Sequence, residues 1–150
     1  MELYIVYLHT MENSPEVRII GATADKKKAN EMYWDTYREA NEWMSTRDED
    51  SGSWASAHKK TFDMNEGLKP GDTVYVTIET LWHEIIKTTL TPYIHESTAK
   101  RHIEFLRQDM LKTSPGLTPY DGEPDEGAMH FEDPSVMVDV YFGIEPITIV

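Results

Sequence analysis

One local pattern is written twice in this chain, and it restricts the folds open to it more than any other feature. The apolar run Leu3-Tyr4-Ile5-Val6-Tyr7 is followed by a second run, Val17-Arg18-Ile19-Ile20, and Gly21-Ala22-Thr23 then leads into a long helical periodicity. Further on, Val74-Tyr75-Val76-Thr77-Ile78 is followed by Ile85-Ile86-Lys87-Thr88-Thr89-Leu90, and Glu96-Ser97-Thr98 opens another helical stretch. Each unit reads as strand, strand, capped helix, with an offset of about 71 to 74 residues. A ββα unit buries one sheet face under one helix, and two such units can share one sheet.

Leu3, Ile5 and Tyr7 alternate with Tyr4, Val6 and Leu8, so the first strand is apolar on both faces and reads as a central strand. Thr10 to Pro15 supplies turn chemistry, and Glu16 to Ile20 returns as the hairpin partner. Thr23 is the expected N-cap of the first helix. Ala29, Met32, Tyr33, Thr36, Tyr37, Ala40, Trp43 and Met44 then recur at three- and four-residue steps, one apolar stripe over about six turns. Glu31, Asp35, Arg38, Glu39 and Glu42 form its wet side. Trp34 falls about 100° from Tyr33 around the helix and off the stripe, which marks it either as inter-element packing or as an interface anchor.

After the polar break at Arg47 to Ser53, residues Trp54 to Met64 read as a short helix or an irregular segment, with Trp54, Ala57 and Phe62 turned inward. Leu68 to Asp72 is a turn into the strand Thr73 to Thr80, whose partner spans about Glu84 to Tyr93. Ser97 is the expected cap of the second helix, with Ile103, Leu106 and Met110 as its buried stripe. Val136, Val138, Val140 and Phe142 alternate in a last strand, and Pro146 makes the final stretch an edge segment or a tail. These elements predict one α+β domain over 1–150: two ββα repeats at about 2–46 and 73–112, an acidic loop at about 113–134, and C-terminal strands at about 135–150. Its largely antiparallel sheet of about five strands would carry both helices on one side, an arrangement that permits a pseudo-two-fold. The expected core is Ile5, Ile19, Met32, Tyr33, Tyr37, Val76, Ile78, Ile103, Leu106, Val138 and Val140.

Charge is the second constraint. The net charge is -13, which repels nucleic acid and anionic membranes and attracts basic surfaces over about a Debye length. Acidity either serves solubility or serves recognition. Between Thr113 and Pro134 six carboxylates, Asp121, Glu123, Asp125, Glu126, Glu132 and Asp133, stand without a Lys or Arg among them. A loop of that length inside a compact domain is usually functional or disordered. No run nears the roughly 20 apolar residues of a membrane span, and the N-terminus enters a strand without a basic region, so neither a membrane segment nor a signal peptide is expected. With no cysteine, disulfides and thiolate chemistry are excluded, which suits a reducing cytoplasm.

Catalytic and metal signals are sparse. His9, His58, His83, His95, His102 and His130 form no ligand-spaced pair, so no metal and no cofactor is expected. Neither serine-glycine neighbourhood has the strand-elbow-helix setting of a hydrolase nucleophile, and no Gly-rich phosphate loop occurs. Lys26-Lys27-Lys28 reads as a solvated helix start rather than an anion site. An enzyme would have to draw on His83 with Glu84, or His95 with Glu96. A protein that sequesters a nucleotide signal would need Arg18, Lys87, Lys100 and Arg101 to converge.

Leu3 to Tyr7, followed by Arg18-Ile19-Ile20-Gly21-Ala22-Thr23-Ala24-Asp25-Lys26-Lys27-Lys28-Ala29, resembles small proteins encoded by bacteriophages and prophages. In these a strand often runs into an Ile-Gly step and then a helix containing Lys and Ala. Gly71 to Val76 through Ala99-Lys100 is similar to the same template, with Thr91-Pro92-Tyr93 standing where the first copy has Ile20-Gly21. Together the two matches cover about half the chain. The resemblance implies a non-enzymatic, cytoplasmic anti-defence protein of the anti-CRISPR kind. Its partner would be a basic host protein or ribonucleoprotein effector, with no direct binding of nucleic acid. Carboxylates would stand where phosphates sit, and a dimer is compatible with this reading. The partner-binding residues expected are the six loop carboxylates together with Trp34, Asp35, Glu39 and Glu42.

Overall fold

A computed structural model describes residues 1–83, 85–114, 116, 118–119, 129–133 and 138–150. The protein is α+β, and its described residues form two α-helices and two β-sheets. The chain divides into two compact units. One holds Met1–Thr73 together with Ile147–Val150, and the other holds Val74–Pro146.

In the first unit, β1 (Glu2–Met11) and β2 (Pro15–Thr23) form an antiparallel hairpin, and α1 (Lys26–Ser45) follows. β1 lies in the middle of a three-stranded sheet, order β2-β1-β3, as its two apolar faces require. Between Val6↔Gly21 and Tyr7↔Ile19 the register slips, leaving Ile20 as a bulge. The residues on the helix side include Leu8, Ala55 and Ile20, which pack against Ala40 and Trp43 of α1. Alanines at 29 and 40 let α1 lie close to the sheet. Gly21 does the same from the other side, since a Cβ there would stand 3.0 Å from the Met32 sulfur.

In the second unit, β4 (Thr73–Trp82) and β5 (Ile86–Tyr93) pair antiparallel and lead into α2 (Glu96–Thr113). β6 (Thr118–Pro119), β7 (Met129–Asp133) and β8 (Val138–Thr148) complete a sheet in the order β5-β4-β8-β7-β6. Ile103 of α2 packs on Val140 and Phe142 of β8, with Leu106, Met110 and Ile144 around them.

Several sequence expectations need correction. The strands do not form one shared sheet of about five with both helices on it, because each helix belongs to a unit with its own sheet. The cause is Trp54–Asp63, expected as a short helix or irregular segment but folded as β3, which pairs with β1 over its whole length, from Glu2↔Asp63 to Met11↔Trp54. Thr23 is not the cap of α1. It is buried at the end of β2, and Asp25 caps instead, accepting from the amides of Lys27 and Lys28. Ser97 is not the cap of α2, whose N-cap is His95 through backbone alone. Tyr37, expected in the core, is 44% exposed, and Met32, Tyr33 and Leu106 are half-buried. Ile5, Ile19, Val76, Ile78, Ile103 and Val140 are buried as expected. The stretch expected as a structureless loop holds β6 and β7, with Glu132 opposite Asp139 and Asp133 opposite Val138 in the β7-β8 ladder. Asp121, Glu123, Asp125 and Glu126, like Glu84 and Val136, lie outside the described residues.

Candidate functional site: the outward face of the first helix

Ala29, Thr36 and Ala40 face the sheet, Met32, Tyr33 and Trp43 flank them half-buried, and the opposite side of α1 is presented to solvent. Glu31, Asp35, Glu39 and Glu42 follow one another at four-, four- and three-residue steps, which places them within about 80° of each other around the axis. Next to this acidic stripe stands Trp34, 55% exposed, while Trp43, Trp54 and Trp82 are all half-buried. Tyr33 and Tyr37 brace it edge-on, with centroid separations of 5.3 and 5.5 Å. A shallow groove of about 550 Å³ runs along this face, lined by Lys27, Asn30, Glu31, Trp34, Asp35 and Arg38. Thus the structure brings Trp34 and Asp35 into one groove, with Glu39 and Glu42 along the same stripe.

Ion pairs thin out the charge here. Arg38 pairs with Asp35, and Arg18 reaches from β2 to Glu39. These pairs are exposed and contribute little to stability. The charge order along α1 also opposes the helix dipole, with three lysines at the start and Glu42 in the last turn. In α2 the order is the favourable one, Glu96 in the first turn and Lys112 in the last. The helix dipole therefore does not account for the acidic stripe of α1.

A second cluster lies on the face of the first sheet turned away from α1, where Tyr7 pairs with His58 and His9 with Ser56 across the β1-β3 ladder. The His58 ring stacks on Tyr7 at 4.8 Å, and its Nε2 hydrogen-bonds the Ser56 hydroxyl at 2.7 Å. His9 is buried against Trp54, its Nε2 has no partner, and burial together with the nearby His58 lowers its pKa to about 4. Burial and Lys60 lower the pKa of His58 as well. Both rings thus take up a proton less readily than a free imidazole. In the second unit the Tyr93 hydroxyl and His102 Nδ1 share a hydrogen bond of 2.7 Å, and burial raises the pKa of that phenol. Sequence reasoning missed both clusters, because each joins residues from different strands or from a strand and a helix. The histidine cluster became legible only once Trp54–Asp63 was a strand.

The remaining candidates stay dispersed. His83 and His95 are exposed, and Glu96 is paired with Lys100 at 3.1 Å. Of the four cations considered for a nucleotide site, Arg18 and Lys100 are already in ion pairs with Glu39 and Glu96. Among the described residues no group of three or more His, Asp or Glu is placed to hold a metal ion, and no helix is long and apolar enough to cross a membrane. No protein-family model matches the chain, and neither does any curated protein or solved structure compared with it.

Proposed function

We propose that this protein is a non-enzymatic inhibitor of the anti-defence kind, which docks on a basic, nucleic-acid-handling host protein through the outward face of α1. The observation that carries this reading is an exposed tryptophan, braced by two tyrosines, beside an acidic stripe that the helix dipole does not explain. Buried aromatic anchors contribute most of the energy of protein interfaces, and Trp is among the residues most enriched there. A net charge of -13 supplies the long-range attraction to a Lys/Arg groove and keeps nucleic acid away. An acidic protein seated in such a groove excludes nucleic acid by competition. The shared order of hairpin then helix, β1-β2-α1 and β4-β5-α2, supports the further reading that the chain is built from two ββα repeats.

The test is binding to purified CRISPR effector complexes with nucleic acid as competitor, at about 50 and about 300 mM salt. Affinity should fall at least ~10-fold across that range, and nucleic acid should displace the protein. Binding that is insensitive to both salt and competitor would sink the reading. Serine at Asp121, Glu123, Asp125 and Glu126 removes four carboxylates outside α1 and should weaken binding by ~10-fold at low salt, about 1.4 kcal/mol. Full affinity in that variant assigns the interface to α1 alone.

A further inference from the structure

Several aromatic rings of the first unit already carry one of the chain's own cations. The Arg47 guanidinium lies 3.7 Å from the Trp43 ring centroid, and the ammonium groups of Lys59 and Lys60 lie 5.9 and 5.8 Å from those of Tyr33 and Tyr7. Among the described residues Trp34 has no such cover. Arg38, one turn along the helix, is drawn to Asp35 instead. The indole is nevertheless held in place, since Tyr33 and Tyr37 meet it edge-on at interplanar angles of 69° and 80°. A ring already fixed by its neighbours loses little rotamer freedom when a ligand stacks on it. Three residues before Trp34, on the wall of the same groove, Glu31 is exposed and makes no ion pair among the described residues.

We propose that this groove reads arginine: a guanidinium from a basic segment of the partner stacks on Trp34 and donates its paired N–H groups to the Glu31 carboxylate. The inference rests on the reading of the protein as an acidic docking module, and it names the side chain that the docking face selects. A guanidinium is flat, stacks on indole and forks onto a carboxylate at once, whereas a lysine ammonium is a point charge and must choose one contact or the other. The groove itself is close to neutral, with Lys27 and Arg38 set against Glu31 and Asp35. Selection there comes from stacking and from the planar fork, while the charge of the whole chain brings the basic segment close.

Two peptides of equal length and charge, one with arginine and one with lysine as its only cation, separate these effects when titrated into the intact protein at low salt. The arginine peptide should bind at least ~5-fold more tightly, a difference within reach of one stacked and forked contact. Trp34→Ala should lower the arginine peptide to the lysine level and leave the lysine peptide nearly unchanged, while Trp34→Phe should keep part of the preference. Glu31→Gln should also erode the preference with no change in melting temperature. Equal binding of both peptides to the parent, or an arginine preference that survives Trp34→Ala, overturns the arginine site and leaves electrostatic docking standing. Failure of both peptides to bind at low salt overturns both readings.

Discussion

His9 shows how a single side chain sets the pH dependence of this fold. It sits on the central strand with Tyr7 and His58 on one side and Trp54 on the other, and its Nε2 is buried without a partner. A proton there meets the second imidazole of His58, across the ladder on the neighbouring strand. Its folded pKa of about 4 lies below the ordinary imidazole value of 6.5. Above pH 6.5 the ring is neutral in both states, and its full contribution to stability is present. As pH falls through the window from 6.5 to about 4, the unfolded chain takes up a proton that the folded chain refuses, so stability is lost, by up to about 3 kcal/mol. The downward shift of His58 acts in the same direction. His9→Leu, which fills similar space without titrating, should flatten this loss. Urea midpoints at pH 7.5 and 4.5 read the effect, and an unchanged slope would mean that His9 is solvated. Asp25 has a more local role. Its carboxylate accepts from the amides of Lys27 and Lys28 at 2.8 and 3.2 Å, so Asp25→Ala should cost about 1 kcal/mol in a denaturant titration.

At the scale of the element, β3 decides the architecture of the first unit. Its sequence, Trp54-Ala55-Ser56-Ala57-His58-Lys59-Lys60-Thr61-Phe62-Asp63, mixes small, charged and aromatic residues, and as an edge strand it needs no continuous apolar run. Ten backbone pairings with β1 hold it, and they place Ala55 under α1 beside Leu8. Leu8 joins β1, β3 and α1 in one cluster. Leu8→Ala should therefore destabilise the unit by about 3 kcal/mol, through lost burial and the cavity left at a contact of three elements. Helix α1 shows the reverse relation between pattern and packing. Its stripe was legible by periodicity, yet Tyr37 at the stripe's edge is exposed and helps brace Trp34.

At the scale of the whole molecule, the chain returns at its far end to the unit in which it began. Ile149 is 1% exposed, its amide donates to the Asp72 carbonyl, and its own carbonyl accepts from the Gly71 amide. The Val150 amide donates to the Ala22 carbonyl, and Thr23 Oγ1 donates to the Val150 carbonyl at 2.7 Å. Gly71 turns with φ 95°, a left-handed conformation that suits glycine, and so presents its amide to the returning strand. The last four residues thus close the first unit across more than 120 positions, as the Thr23–Val150 separation of 127 shows. Ile149→Ala should cost roughly 2–5 kcal/mol, and amide exchange in β2 should accelerate more than in β5. Equal acceleration in both strands would show that the tail stabilises the molecule as one cooperative whole rather than its own unit.

What the sequence determined by itself was everything that local periodicity and composition govern. The two hairpins, the presence of the two helices, the central place of β1, and the buried Ile5, Val76, Ile103 and Val140 follow from residues close together in the chain. Tertiary structure decided which strands share a sheet. Pairing energy belongs to partners distant in sequence, so the pairing of β3 with β1, the return of Ile149 to Ala22, and the meeting of His9 with His58 leave no mark in any short window. The caps moved for a related reason. Thr23 is held at the end of β2, where its hydroxyl donates to the Val150 carbonyl brought back from the far end and accepts from the Asp25 amide, so the helix begins beyond it and Asp25 accepts from the first-turn amides.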